Sequence, residues 1–344
     1  MSTLSTAKYA AAHLTTSGPG DARPTALQII HDQGLVNQLC DKTIFITGAA
    51  SGLGIETARA LHATGARLYF GVRDTAKGEL VADEIRKEGR GAAVDVVELH
   101  LDSLESVRKC AEQFLKKSGG KLNVLIANAG VMACPQGKTK EGFETQFGTN
   151  HLGHFLLFQL LKDALLSSST PAFNSRVVAV SSMGHRSSPI LFDDYNFEKT
   201  AYAPWTAYGQ SKTANIYFAN EIDRRYGSRG LHATSLHPGG IATPLQRHLD
   251  SSFMEMMESP KVRATMKSPE QGAATTVWAA VGKDWEGTGG KYLGDVNVGK
   301  RHETEKGMAD QCGYAPWAYD QEAELKLWNL SNKLVGIQES RANC

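Results

Sequence analysis

Tyr208 and Lys212 stand four residues apart at the start of a helix-like stretch, and that spacing puts both side chains on one helix face. A free phenol titrates near pH 10 (about 10) and is a poor acid or base at neutral pH, but a nearby ammonium stabilises the phenolate. A tyrosine so placed can give a proton to a carbonyl oxygen, or take one from an alcohol. Tyrosine and lysine at this spacing also occur by chance in many helices, so the pair needs company. Ser182 supplies it: Ser181-Ser182 ends the apolar run 176–180, which puts a hydroxyl at a strand end, able to hydrogen-bond the reacting oxygen. Asn128-Ala129-Gly130 closes the run 122–127, with Asn150 in the helical stretch that follows. The turn His237-Pro238-Gly239-Gly240-Ile241-Ala242-Thr243 follows the run 231–236.

The elements that must position these residues announce themselves near the start. Thr47-Gly48-Ala49-Ala50-Ser51-Gly52-Leu53-Gly54 comes directly after the apolar run Ile44-Phe45-Ile46 and reads as a strand, a glycine-rich turn and a helix start. Glycines allow a tight turn and close backbone approach, and the amides and dipole of the next helix attract a pyrophosphate. Gly48, Ser51, Gly52, Leu53 and Gly54 are therefore the expected dinucleotide cradle. An apolar stripe at Ile55, Ala58, Leu61 and Ala63, then Gly65-Ala66 and a strand over 67–72, complete a strand–helix–strand unit. At the end of that second strand an acid would bond the ribose of NAD, yet the chain reads Val72-Arg73-Asp74. The Arg73 guanidinium suits a 2′-phosphate and favours NADP(H). Asp74 is either a ribose ligand or the N-cap of the next helix.

Apolar strand candidates at 43–47, 67–72, 94–100, 122–127, 176–181 and 231–236 alternate with helical stretches at 52–64, 76–88, 103–117, 141–166 and 206–226. Such alternation predicts an α/β fold: a single Rossmann-type, doubly wound parallel sheet flanked by helices. An N-terminal extension over 1–40, read as a flexible tail and then a short helix over 26–39, precedes the main domain, 41–300; a C-terminal helical extension, 301–344, follows it. Two stretches stand out as substrate-facing. The aromatic-rich loop 183–207, with Phe192, Tyr195, Phe197 and Trp205, contacts substrate or, equally, packs on its own domain. The segment 244–270, with Leu245, Leu249, Phe253, Met254, Met256, Met257 and Met266, suits a small mobile lid over a greasy substrate, the alternative being helices with a buried face.

The chain's 344 residues with 41% hydrophobic composition suffice for one large core, and a net charge of +1 without basic runs gives no reason to expect nucleic acid or an anionic membrane surface. Five scattered cysteines without a Cys-x-x-Cys pair suggest neither a disulfide framework nor zinc; no metal is expected, and a reducing, cytoplasmic setting is. No apolar stretch approaches the roughly 20 residues needed to span a bilayer.

Taken together the motifs resemble the short-chain dehydrogenase/reductase family over about 40–300. The resemblance implies a catalytic tetrad of Asn150, Ser182, Tyr208 and Lys212, with Asn150 holding a water that relays protons to Lys212. It further implies that Asp102 contacts the adenine, that Asn128, Ala129 and Gly130 line the cofactor, that Tyr208 and Lys212 reach the nicotinamide ribose, and that Pro238, Gly239 and Thr243 border the nicotinamide. Within the family the chain is similar to the retinol-dehydrogenase-like branch, through Val72-Arg73-Asp74, the long gap before Tyr208, Ser211-Lys212-Thr213-Ala214-Asn215 and Leu327-Trp328-Asn329-Leu330-Ser331. Typical members use NADP(H) on hydrophobic alcohols, aldehydes or ketones, and fungal secondary-metabolite reductases fall among the soluble lineages.

The expected activity is thus NADPH-dependent reduction of a ketone or aldehyde of a lipophilic small molecule, or the reverse alcohol oxidation. Ser182, Tyr208 and His237 are the substrate-facing candidates, His237 otherwise being a packed turn residue. A non-redox epimerase or dehydratase on the same scaffold, or an NADP(H)-sensing binding protein, are the alternatives; the intact tetrad argues against a pure sensor. The resemblance leaves two readings of assembly open: a homodimer through the helices bearing Asn150 and Tyr208, or those faces covered by the long C-terminal part.

Overall fold

The computed structural model describes residues 3–88, 93–303 and 312–338. One eight-stranded sheet organises them, in the order β3-β2-β1-β4-β5-β6-β7-β8. The strands are β1 Thr43–Thr47, β2 Arg67–Val72, β3 Val94–Glu98, β4 Val124–Ala127, β5 Ser175–Val180, β6 Leu231–His237, β7 Lys291–Gly294 and β8 Asn297–Val298. β1 to β7 pair in parallel, and β8 turns back antiparallel on β7.

The strands are apolar on both faces because both faces are covered. Ile44, Ile46, Leu68, Phe70 and Ile126 point into one core layer, and Phe45, Tyr69, Leu125 and Val177 into the other. The first layer is closed by α2 (Ala26–Asp32), α3 (Leu53–His62) and α4 (Thr75–Glu88), together with the late helix Ala274–Val281. The second is closed by α5 (Leu104–Ser118), α6 (Gly153–Ser168), α7 (Pro204–Tyr226) and the C-terminal helix Gln321–Val335. Strand order reverses between β1 and β4, which opens a crevice at the carboxyl ends of those strands, the usual ligand site of such sheets.

Departures from the expected elements have local causes. The chain 3–14, anticipated as a tail, forms helix α1 (Thr3–Leu14), tied down where the Tyr9 hydroxyl donates to Asp32 at 2.6 Å. The helix expected over 26–39 stops at Asp32, and the chain turns at Gly34 with φ +64°. β7 and β8 were not legible, being four and two residues long.

The helix expected over 141–166 is broken. A short turn, Thr145–Phe147, whose first amides are capped by the Glu144 carboxylate, runs into a π-helical turn, Gly148–Leu152, before α6 begins. Gly148 and Gly153 flank the π turn because the chain is pressed there: a Cβ on Gly153 would stand 2.5 Å from the Leu101 carbonyl oxygen.

The C-terminal helix lies across α6 and α7. Trp328 meets Phe155 edge-on at 5.0 Å between ring centroids, Ser331 Oγ and His151 Nε2 are 2.7 Å apart, and Asn220 of α7 donates to Glu324 at 2.7 Å. The homodimer reading was assigned to this same α6–α7 surface, and here the chain's own helix rests on it.

Candidate active site

The chemistry-bearing residues gather at the carboxyl edge of β1, β4, β5 and β6. Gly48 (φ +71°) and Gly52 (φ +54°) turn the chain after β1, and Gly52 caps α3 with no side-chain bond of its own. The turn is packed to its backbone: a Cβ on Gly54 would lie 2.2 Å from the Gly48 carbonyl oxygen, and one on Gly48 would lie 3.0 Å from Ala129 Cβ. Gly52 brings no side chain to cap the first amides of α3, which is the form a pyrophosphate requires. Across it lies Thr243, 3.5 Å from where a Gly52 Cβ would stand, so the β6 turn meets the glycine turn. Pro238 and Gly239 (φ +109°) precede it, and the buried Lys267 ammonium donates to the Pro238 carbonyl at 3.2 Å while paired with Asp295 at 2.6 Å.

Arg73 and Asp74 are exposed at the end of β2. One Asp74 oxygen accepts the Lys77 amide at 3.0 Å, which is the N-cap role. Asp102 is half-buried beyond β3, ahead of Ser103, the cap of α5.

Asn128 is locked onto β1: its amide and that of Ala129 donate to Thr47 Oγ1 at 2.9 and 3.0 Å, and its side chain donates to the Thr47 carbonyl at 2.8 Å. Thr47 Oγ1 also lies 2.9 Å from His154 Nε2, while His154 Nδ1 lies 2.9 Å from the Asn150 carbonyl. A carbonyl can only accept, so Nδ1 carries the proton and Nε2 accepts from the threonine. Burial pushes His154 down to about 4, which keeps it neutral in this role. The Asn150 side chain is fully used as well, accepting from the Val131 amide at 2.8 Å and donating to the Val131 carbonyl and Ser211 Oγ, each at 2.9 Å.

Ser182 follows β5 and accepts the Gly184 amide at 3.0 Å, which sets its hydroxyl beside the Tyr208 ring. Gly184 is required where the turn passes the tyrosine, because a Cβ there would fall 2.8 Å from Tyr208 Cε1. Lys212 donates to the Val180 carbonyl at 3.0 Å, and its Nζ stands 5.6 Å from the centroid of the Tyr208 ring. Both side chains are buried. Burial pushes the Tyr208 phenol up to about 12, with the Ser182 hydroxyl pulling the other way, and pushes the Lys212 ammonium down to about 8. These are the positions set by the protein's own groups. The ammonium faces the ring and the Val180 carbonyl rather than the hydroxyl, and desolvation wins.

This arrangement has known counterparts. A profile described as short chain dehydrogenase matches residues 42–252. The chain belongs to the short-chain dehydrogenase/reductase family. It is 52% identical over 333 residues to the short-chain dehydrogenase/reductase prx1 of Penicillium roqueforti, covering 96% of each chain. It is 40% identical to mouse (Mus musculus) retinol dehydrogenase 12, covering 88% of each. A solved structure from Mycobacterium paratuberculosis shares 35% identity at a TM-score of 0.64, covering 86% of this chain and 94% of that one. This short-chain dehydrogenase/reductase is accordingly an oxidoreductase near the retinol-dehydrogenase-like branch. Its family acts on CH–OH and C=O groups of small molecules with NAD(P)(H). Among the described residues no helix is long and apolar enough to cross a membrane.

Sequence reasoning missed several residues that the fold assembles around the short-chain dehydrogenase/reductase site. His154 is one of them; its signal was its position four residues after Asn150, within reach of that carbonyl. Trp205, named only as part of an aromatic loop, meets the Tyr208 ring edge-on at 5.9 Å and stacks on Phe253 at 5.4 Å. Phe253 belongs to the helix Ser251–Glu258, on which Met254 and Met256 are exposed. His237 ends β6 and is buried, pushed down to about 3 by burial, and neither ring nitrogen has a hydrogen-bond partner among the described residues.

Proposed function

We propose that this enzyme is an NADP(H)-dependent reductase of a ketone or aldehyde carbonyl on a lipophilic small molecule, running in reverse as an alcohol dehydrogenase. The observation that carries the reading is the buried Tyr208–Lys212 pair, with Ser182 Oγ and the tyrosine ring closing on the same glycine, Gly184, at the sheet edge that also bears the glycine cradle. Asn150, Ser182, Tyr208 and Lys212 are the proposed catalytic set. The cofactor would be held by Gly48, Ser51, Gly52, Leu53 and Gly54, by Asn128, Ala129 and Gly130, by Asp102, and by Pro238, Gly239 and Thr243. Arg73 would meet the 2′-phosphate. The use of Asp74 as a helix cap supports that choice, since the carboxylate is then turned to the Lys77 amide.

When bound, the nicotinamide supplies or accepts the hydride. The protein's part is to place and protonate the oxygen. A phenol held near 12 is neutral at physiological pH, the form that gives a proton to a carbonyl oxygen, and the single Ser182 hydroxyl proton turns to that oxygen when substrate is in place. Lys212 carries its charge below about 8 and recharges the tyrosine with a proton, through water on the second lone pair of the Asn150 carbonyl. Trp205, Phe253 and the exposed methionines form the apolar approach to this point, which supports a lipophilic substrate, with Ser251–Glu258 as part of the lid. His237, whose ring nitrogens have no hydrogen-bond partner among the described residues, faces substrate in this reading.

Fluorescence titration with NADPH and NADH tests the cofactor, and NADPH consumption across a panel of apolar ketones and aldehydes tests the reaction. We expect preference for NADPH that disappears in Arg73→Ala. Equal NADH binding overturns the cofactor assignment, and turnover of a bound ligand without net NADPH consumption overturns the redox reading in favour of an epimerase or dehydratase.

A further inference from the structure

The segment just before the C-terminal helix reaches back into the active site through one side chain. His185 lies in the 3-10 turn Met183–Ser187 that follows Ser182, and it is fully buried. Its Nδ1 stands 2.6 Å from the Ser182 carbonyl, and the Ala315 amide donates to its Nε2 at 2.9 Å. Because the carbonyl can only accept and the amide can only donate, the tautomer is fixed: the proton is on Nδ1 and the lone pair is on Nε2. Burial pushes the imidazole down to about 4, so the ring stays neutral and both bonds persist across the working pH range.

The ring packs against Tyr292 of β7 at 4.9 Å between centroids, and the turn that bears it is held by Thr213 Oγ1 of α7, whose one proton lies between the Ser188 carbonyl at 2.7 Å and the His185 carbonyl at 3.1 Å. The far end of the link is anchored on the helix that carries Tyr208 and Lys212. Tyr217 donates to the Trp317 carbonyl at 2.8 Å, and Asn220 donates to the Ala318 carbonyl at 3.1 Å. Ser182 is therefore braced from two directions: by β5 behind it, and by the 315–318 segment through the His185 imidazole, with Trp317 Nε1 on Thr213 Oγ1 at 3.4 Å as a weaker second tie to the same turn.

We propose that His185 is a positioning residue that transmits the C-terminal segment's hold to Ser182, so that residues 315–318 belong to the active-site architecture although they touch no reacting atom. The inference rests on the proposed roles of Ser182 and Tyr208. It predicts that cutting the link at either end moves the serine hydroxyl, and hence the proton-transfer step, while the cofactor cradle on β1 is untouched.

The test uses the full chain and three substitutions. Ala315→Pro removes the amide donor without touching His185, and fixes φ at 315 as well. His185→Asn keeps a donor near the Nδ1 position and has nothing to reach Ala315. His185→Ala removes both bonds. Amide exchange at Gly184, whose N–H donates to Ser182 Oγ, reads the serine's position without any substrate. We expect faster Gly184 exchange in all three, largest in His185→Ala. With an NADPH-linked carbonyl substrate we expect kcat to fall by about tenfold or more, KM and NADPH affinity to hold within about twofold, and the ascending, acidic limb of the alcohol-oxidation pH profile to move up as Tyr208 loses the Ser182 hydroxyl beside it. Unchanged Gly184 exchange and unchanged kcat in folded His185→Ala would overturn the proposal. So would an equal loss in kcat and NADPH affinity, which marks general loosening. Should Ala315→Pro not fold, His185→Asn makes the same cut. Failure of the reductase reading itself shows separately, as a wild-type enzyme that consumes no NADPH or a Tyr208→Phe variant that keeps its rate.

Discussion

Gly54→Ala adds one methyl group at the most constrained point of the cofactor cradle. That Cβ would stand 2.2 Å from the Gly48 carbonyl oxygen and 2.9 Å from Ala49 Cα, both backbone atoms that cannot rotate away. Ordinary contact with carbon begins near 3.4 Å (about 3.4), so the Gly48–Ala49 peptide and the start of α3 must separate by roughly 1 Å. Overpacking of this kind costs about 1–3 kcal/mol of stability. The larger consequence is local, because the displaced amides are those expected to bond the pyrophosphate. Loss of one charge-assisted hydrogen bond, about 1.5–3 kcal/mol, weakens cofactor binding by roughly 10- to 150-fold. The assay is NADPH fluorescence titration at a temperature where urea denaturation shows the variant folded. Gly119→Ala is the control: it is left-handed at φ +63° with nothing near its would-be Cβ, so it costs about 1 kcal/mol of stability and leaves NADPH affinity alone. A folded Gly54→Ala that binds NADPH within threefold (about threefold) of the parent would refute the assignment of this turn as the phosphate site.

Further outcomes follow from the same geometry. Tyr208→Phe should bind NADPH normally and lose about 100-fold or more in kcat, since it removes the proposed proton donor; stopped-flow hydride transfer alongside binding separates the two. Lys212 is held near 8 by burial, below its usual range, so the folded state binds fewer protons than the unfolded one between about 8 and its ordinary value; stability rises with pH across that window and is lowest below it. Lys212→Met should therefore unfold at higher urea than the parent at pH 7 (about 7) while losing activity, and a lower midpoint would contradict the desolvation argument. Carbonyl reduction by the parent should decline as pH rises through about 8, when the ammonium is lost. Trp328→Ala empties a site packed against Phe155 and Phe158 and should cost about 3–5 kcal/mol in denaturant unfolding, with NADPH affinity in the surviving folded fraction unchanged.

The core of the fold was legible because its signals are local. Each of β1 to β6 is an apolar run of four to seven residues, and the turn after β1 carries glycines whose positive φ angles have few substitutes. Ser182, Tyr208 and Lys212 were legible for the same reason: each sits a short, fixed distance from a strand end or helix start. What escaped depends on contacts distant in sequence. The brace from Ala315 to His185 spans 130 residues, and the bond between His151 and Ser331 spans 180. The π turn at Asn150 follows from pressure by Leu101 and Thr139, which no periodicity within 141–166 reveals. The phenol's upward displacement depends on how completely Tyr208 is enclosed, a property of the assembled layers rather than of a motif.

The resting place of the last helix also bears on how the protein is made. Every strand from β1 to β6, and both helices that carry Asn150, Tyr208 and Lys212, lie on the N-terminal side of residue 238, so they leave the ribosome first. Phe155, Phe158 and Phe218 of that nascent unit have no cover from Trp328 until synthesis has passed Gln321–Val335. At typical synthesis rates of about 5–20 residues per second the apolar face is bare for several seconds or more. Messages or proteolytic products ending before this helix should therefore yield chains that aggregate or bind chaperones, and the final turn of synthesis acts as the quality check on the enzyme.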